Sequence, residues 1–150
     1  MNPRFSLAFF LVGSAFVVLG GLLAAASTPL GLTSGPWLAA YLVLVCGVAQ
    51  CLFGIVGRWV APARMSTAGF AVELACWNAG NAAVVVGVLT GILSIVAAGG
   101  VLLVVVLALQ LTHLRRTPRG VRWAARLYGM VVAVLLVSIP IGIGLAAVSA

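Results

Sequence analysis

Glu73 is the only acidic residue among the 150 of this chain, and it lies inside a run of apolar residues. A carboxylate at membrane depth is costly, so it usually belongs to a proton or ion pathway or pairs with a base. Glu73 lies under about two helical turns from Thr67, where its run begins. Pairing with Arg58 or Arg64 near that end is therefore favoured. A proton or ion role and a relic of an ancestral site remain open.

Three polar amides accompany this carboxylate. On a helix, Asn81 shares the face of Glu73, and Asn78 lies to its side. Gln50, on the preceding antiparallel run, falls at a depth between Glu73 and Asn78. The four residues are a candidate polar cluster between two helices, which would act either as a site or as interhelical hydrogen bonds. We favour the hydrogen bonds, each worth well under about 2 kcal/mol.

Few other residues have side chains suited to catalysis or metal binding. His113 is the only histidine, and one histidine supplies neither a bis-histidine heme site nor a typical zinc site. Cys46, Cys51 and Cys76 lie within apolar runs and form no CxxC pair, which favours small buried side chains. The sequence contains no nucleophile–base pair, phosphate-binding loop or paired carboxylates. We therefore predict no enzymatic activity, cofactor or metal.

The composition predicts a protein embedded in lipid. Hydrophobic residues make up 65% of the chain and charged residues 6%, against about half and about a quarter in soluble domains. A soluble fold of this size cannot bury so much apolar surface. The pI of about 11.2 comes from arginines at the ends of apolar runs, so membrane orientation explains it and nucleic acid is not an expected partner.

Five apolar runs reach or approach the roughly 20 residues that span a bilayer. They cover about residues 5–27, 37–60, 67–90, 92–114 and 123–148. A single helix from Thr67 to Leu114 would measure roughly 70 Å, too long for the hydrocarbon core, so the chain must turn near Thr90-Gly91. Pro140 is expected to kink the fifth helix. The prediction is an all-α, polytopic membrane helix bundle of one domain, residues 1–150.

The arginines orient these helices. Positive residues concentrate on the cytoplasmic side of membrane proteins. With five spans, all eight fall on one side, which places the N-terminus inside and the C-terminus outside a plasma or inner membrane. They are Arg4, Arg58, Arg64, Arg115, Arg116, Arg119, Arg122 and Arg126. The apolar core from Leu7 to Leu23 is longer than that of a usual signal peptide, so the first run is predicted to stay as a helix.

Small residues recur every fourth position along the third run. They are Ala71, Ala75, Ala79, Ala83, Gly87 and Gly91. Small residues let membrane helices approach closely. We favour packing of this stripe within the chain's own bundle, with dimerisation as the alternative.

Residues 37–54, WLAAYLVLVCGVAQCLFG, and 73–81, ELACWNAGN, resemble helices of heme–copper oxidase subunit I-like membrane proteins, including the NnrS-type relatives. With the arginine-rich connection that follows, the resemblance covers roughly residues 37–126. The family's helix carries histidines near the positions of Tyr41 and Val43, so the resemblance implies that heme ligation is lost here. The family also has more spans. The resemblance thus implies a short, ligand-free relative or one piece of a larger assembly, in a respiratory or nitrosative-stress setting.

The expected function is a non-catalytic membrane subunit or scaffold that associates with other membrane subunits or with further copies of itself. The alternative is a small oligomeric transporter or channel that uses Glu73 and its polar neighbours.

A reporter fused after Ala150 should lie outside, and one inserted at Thr117 should lie in the cytoplasm. The reason is that the arginines share one side only if two spans separate Arg64 from Arg115. Alkaline phosphatase and green fluorescent protein fusions at the two positions provide the measurement. Fusions that report the same side would contradict the five-span prediction.

Overall fold

The computed structural model describes residues 3–60, 66–114, 123, 126 and 128–138. These residues form helices and their short connections, without a strand among them, which confirms the all-α prediction. The helices are α1 (Pro3–Ser27), α2 (Gly35–Tyr41), a π-helical segment (Leu42–Ala49), α3 (Gln50–Val60), α4 (Thr67–Thr90), α5 (Leu93–Leu114) and α6 (Tyr128–Ser138). The α2, π-helical and α3 segments follow one another without a break and are called the second long helix below.

Among the described residues, four helices are long and apolar enough to cross a membrane, so the chain is a membrane protein. The spans are Ser6–Ser27, Gly35–Val56, Thr67–Thr90 and Leu93–Leu111. Within the predicted fifth span, the structure describes the helix α6. Pro140 and the end of that span lie outside the described residues. Five spans, and the orientation, stay predictions.

The chain divides into two compact units, residues 1–58 and 59–150. In the first unit, α1 packs antiparallel against the second long helix. The Ser6 hydroxyl donates a hydrogen bond to the Gly54 carbonyl, and the Phe9 and Phe53 rings meet edge to face at 6.5 Å. A Cβ at Gly13 would lie 2.8 Å from the Gly47 carbonyl oxygen, so the two backbones nearly touch. Glycines thus hold this pair of helices together by close contact.

In the second unit, α4 and α5 form a helical hairpin. Ser66 caps α4 by accepting a hydrogen bond from the Gly69 amide at 3.1 Å. Gly91 ends α4 with a φ of 71°, and the Ile92 amide donates to the Gly87 carbonyl at 2.9 Å. This left-handed glycine with its returning hydrogen bond is a common helix stop. The turn predicted at Thr90-Gly91 is confirmed, with α5 beginning at Leu93.

The two helices of this hairpin meet in a regular register. A Cβ at Gly87 would lie 2.6 Å from the Val96 amide nitrogen, and one at Gly80 would lie 2.9 Å from Leu103. Gly80 and Gly87 are seven residues apart, as are Val96 and Leu103. Seven residues are close to two helical turns, so each helix presents one face to the other.

One part of the small-residue stripe on α4 packs against α5, and the other part is exposed. Gly87 contacts Val96, and the Ala83 Cβ lies against Gly99 of α5. By contrast, Ala71, Ala75 and Ala79 are exposed. Four residues advance a helix by about 400°, so the stripe drifts by about 40° at each step. It therefore leaves the α5 interface toward the N-terminal half of α4.

Gly87→Ala should lower the free energy of unfolding by about 1–3 kcal/mol, because its methyl group would collide with the Val96 backbone. Titration of the micelle-bound protein with sodium dodecyl sulfate measures this free energy. Gly21→Ala is the matched control, since a Cβ at Gly21 meets no atom within 4 Å. A control variant as destabilised as Gly87→Ala would contradict the explanation.

Candidate functional site

A groove runs along the interface of α4 and α5, on the N-terminal half of α4. Its volume is about 350 Å³. The residues that line it are Gly69, Val72, Glu73, Cys76, Leu102, Val105, Val106 and Leu109. Glu73 is the charged residue in this lining, and the remainder is aliphatic apart from the Cys76 thiol. The groove is therefore an apolar surface with one carboxylate.

The Glu73 side chain is 7% exposed, and its Oε1 is buried without a hydrogen-bond partner. An ionised carboxylate buried without a partner costs several kcal/mol, so a proton or a cation must compensate its charge. The predicted pairing with Arg58 or Arg64 stays a prediction, because those two side chains lie outside the described residues. Chemically, the site can take up a proton or hold a cation.

The helix register explains why Glu73 faces α5. Glu73 is seven residues before Gly80, so the heptad spacing of Gly80 and Gly87 extends to it. On α5, the same spacing leads from Val96 through Leu103 to Gln110. The register therefore sets Gln110 at the level of Glu73.

Gln110 and Tyr128 belong to the polar surroundings of Glu73, and neither was among the predicted site residues. The Tyr128 hydroxyl, from α6, donates a hydrogen bond of 2.5 Å to Gln110 Oε1, and both side chains are buried. A sequence signal did exist, because Gln110 interrupts an apolar run on the face that heptad spacing assigns to α4.

The predicted asparagines bond within their own helix. Asn78 Nδ2 donates to the Leu74 carbonyl and Asn81 Nδ2 to the Trp77 carbonyl, both at 2.8 Å. Asn81 is buried and Asn78 is half-buried. These bonds join residues four apart along α4, so each amide makes one of its hydrogen bonds within the helix itself.

Gln50, the fourth member of the predicted cluster, lies in the first unit, whereas Glu73, Asn78 and Asn81 lie in the second. Gln50 is fully buried, and neither its Oε1 nor its Nε2 has a hydrogen-bond partner. Glu73 and the two asparagines all lie on α4, and the four-residue cluster stays a prediction.

The three cysteines are free thiols. Cys46 is buried, Cys51 Sγ donates to the Phe10 carbonyl at 3.6 Å, and Cys76 lines the groove. Across the described part of the chain, no three His, Cys, Asp or Glu side chains are grouped to hold a metal ion. His113 belongs to α5, but its side chain is not among those described.

The two positions at which the resemblance places family histidines have ordinary packing roles. The Tyr41 ring stacks on Trp37 with centroids 5.4 Å apart. The Val43 side chain lies against Gly20 of α1, where a Cβ would be 2.7 Å away. Neither side chain carries an imidazole.

Comparison with known proteins gives no relative for this chain: no family model, curated protein or solved structure matches it.

Tyr128→Phe should lower the free energy of unfolding by about 0.5–2 kcal/mol, because it leaves the buried Gln110 Oε1 without its donor. Adding Gln110→Leu should recover part of this loss, since neither buried polar group then remains. Detergent unfolding of the single and double variants measures the coupling.

Ser138→Ala is the control for removing a hydroxyl from α6, because Ser138 Oγ is exposed and donates to the carbonyl of Val134 in its own helix. It should change the free energy of unfolding little. If Tyr128→Phe costs the same in the wild type and in the Gln110→Leu variant, the two side chains are not coupled.

Proposed function

We propose that the chain is a non-catalytic subunit or scaffold of the plasma or inner membrane, which packs against other membrane subunits of a respiratory complex or against further copies of itself. The lipid bilayer surrounds the parts of the helices that contact no other protein. The observation that carries the proposal is the exposed small-residue face of α4, formed by Ala71, Ala75 and Ala79.

This face has the properties of a helix–helix interface. Alanine side chains allow a second backbone to approach closely, which is how helices associate in lipid without a hydrophobic drive. Further along the same stripe, Ala83 and Gly87 already pack closely against a helix of the chain, α5. In each of the four spans, at most 39% of the residues in the most apolar stretch are buried within the chain. Much of each span is therefore available to lipid or to another protein.

The respiratory setting is supported by the resemblance of residues 37–54 and 73–81 to heme–copper oxidase subunit I-like proteins. With tyrosine and valine in place of the family's histidines, an assembly role agrees better with that resemblance than electron transfer does.

A second candidate function is transport of protons or cations by an oligomer, and the Glu73 groove favours it. The groove contains a buried carboxylate oxygen without a hydrogen-bond partner. Carboxylates within membrane spans often mark ion and proton pathways. Outside the groove lining, Tyr128 and Gln110 form a further hydrogen-bonded pair of polar side chains.

Affinity purification of the full chain from its native membrane should recover other membrane subunits or additional copies in a fixed ratio. Ala75→Trp should reduce that recovery several-fold, because an indole on this face keeps a second helix backbone away. Val101→Trp is the control, since Val101 is an exposed position of α5 outside the small-residue face. Quantitative mass spectrometry of the purified samples measures the ratio.

A wild-type chain that purifies alone as a monomer would contradict the subunit proposal. Proton flux into proteoliposomes, followed with a pH-sensitive dye, separates the two candidates. A subunit or scaffold should show no flux. Flux in the wild type that Glu73→Gln eliminates would instead establish transport.

A further inference from the structure

We propose that the groove between α4 and α5 binds a hydrophobic organic cation, with the Glu73 carboxylate as its counter-ion. The groove is formed by α4 and α5 of a single chain, so the site does not require assembly with other subunits.

The charge of the ligand follows from the surroundings of Glu73. Its Oε1 is buried, has no hydrogen-bond partner and belongs to the groove lining. The Tyr128 hydroxyl donates its hydrogen bond to Gln110 Oε1, so this donor is already engaged there. A cation in the groove would supply a charge partner for Glu73, and buried charges require such a partner.

The lining favours an organic cation over a metal ion. Calcium takes six to eight oxygen ligands, and magnesium needs near-octahedral oxygen coordination. Apart from Glu73 and the Cys76 thiol, the side chains of the groove are aliphatic. One carboxylate and a set of valine and leucine side chains instead match a cation with an apolar body, which needs one counter-charge and apolar contact.

The dimensions and position of the groove agree with this ligand class. Its volume of about 350 Å³ is within the range of small-molecule sites, roughly 300–1,000 Å³. Val72 is 61% exposed, Val105 50% and Leu109 51%, so the rim opens outward from the helix pair. All three lie within the spans Thr67–Thr90 and Leu93–Leu111. The opening therefore lies at membrane depth, where a hydrophobic cation in the bilayer can enter from the side.

Radiolabelled tetraphenylphosphonium is a suitable probe, with the full chain in lipid nanodiscs and protein-free nanodiscs to subtract partitioning into lipid. We expect saturable binding to the wild type. Unlabelled tetraphenylphosphonium should compete, whereas the uncharged triphenylphosphine oxide should not. Glu73→Gln should raise the Kd by at least about tenfold, as expected when one member of a desolvated charge pair is removed, and Glu73→Asp should retain binding.

A pair of bulky substitutions locates the site independently of the charge. Val105→Trp places an indole at the rim and should weaken binding several-fold. Val101→Trp places the same side chain one turn earlier on α5, outside the groove lining, and should leave binding unchanged. Circular dichroism and size-exclusion chromatography verify that each variant is folded.

Three results would overturn the proposal: no saturable binding to the wild type, binding that Glu73→Gln leaves unchanged, or loss with Glu73→Gln but not with Val105→Trp. The subunit proposal is judged separately, by the proteins recovered with the chain. A chain that recovers partners but binds no tetraphenylphosphonium would therefore reject the ligand site alone.

Discussion

Close packing of α4 against α5 is the interaction on which the candidate site depends. Gly80 and Gly87 lack the side chain that would separate the two helices, so Val96 and Leu103 approach the α4 backbone directly. Glu73 occupies the next heptad position of the same face, where it must point toward α5. The packing that stabilises the hairpin is thus also what removes the carboxylate from lipid and places it in a groove.

Much of this fold could be predicted from the sequence because the bilayer restricts the alternatives. In lipid, every backbone polar group must be bonded within the protein, so long apolar runs become helices. Bilayer thickness required the turn near Gly91, and a glycine at a left-handed position provides it. The π-helical segment within the second long helix was not predicted, since residues 42–49 contain no proline or polar residue that would indicate it.

The candidate site was predictable only in part. Composition alone identified Glu73, the chain's single acid. Its neighbours depend on which face of each helix meets the other, and a small-residue stripe of period four does not by itself identify that face. The period of seven that joins Glu73 to Gly80 and Gly87 is the one that matches the α5 contact, and on α5 it ends at Gln110. Tyr128 comes from a third helix, α6. The periodicity of α4 and α5 does not specify that α6 packs at the level of Gln110.

The drift of the stripe gives α4 two different surfaces in its N-terminal half. Ala71, Ala75 and Ala79 lie on one exposed side, while Val72, Glu73 and Cys76 line the groove. At about 100° per residue, Val72 and Ala79 fall within about 20° of each other, so the two surfaces adjoin. A helix docked on the alanine face would therefore pass beside the rim of the groove. Occupancy of the groove and association of a second helix then share a boundary, and through that boundary each can alter the free energy of the other.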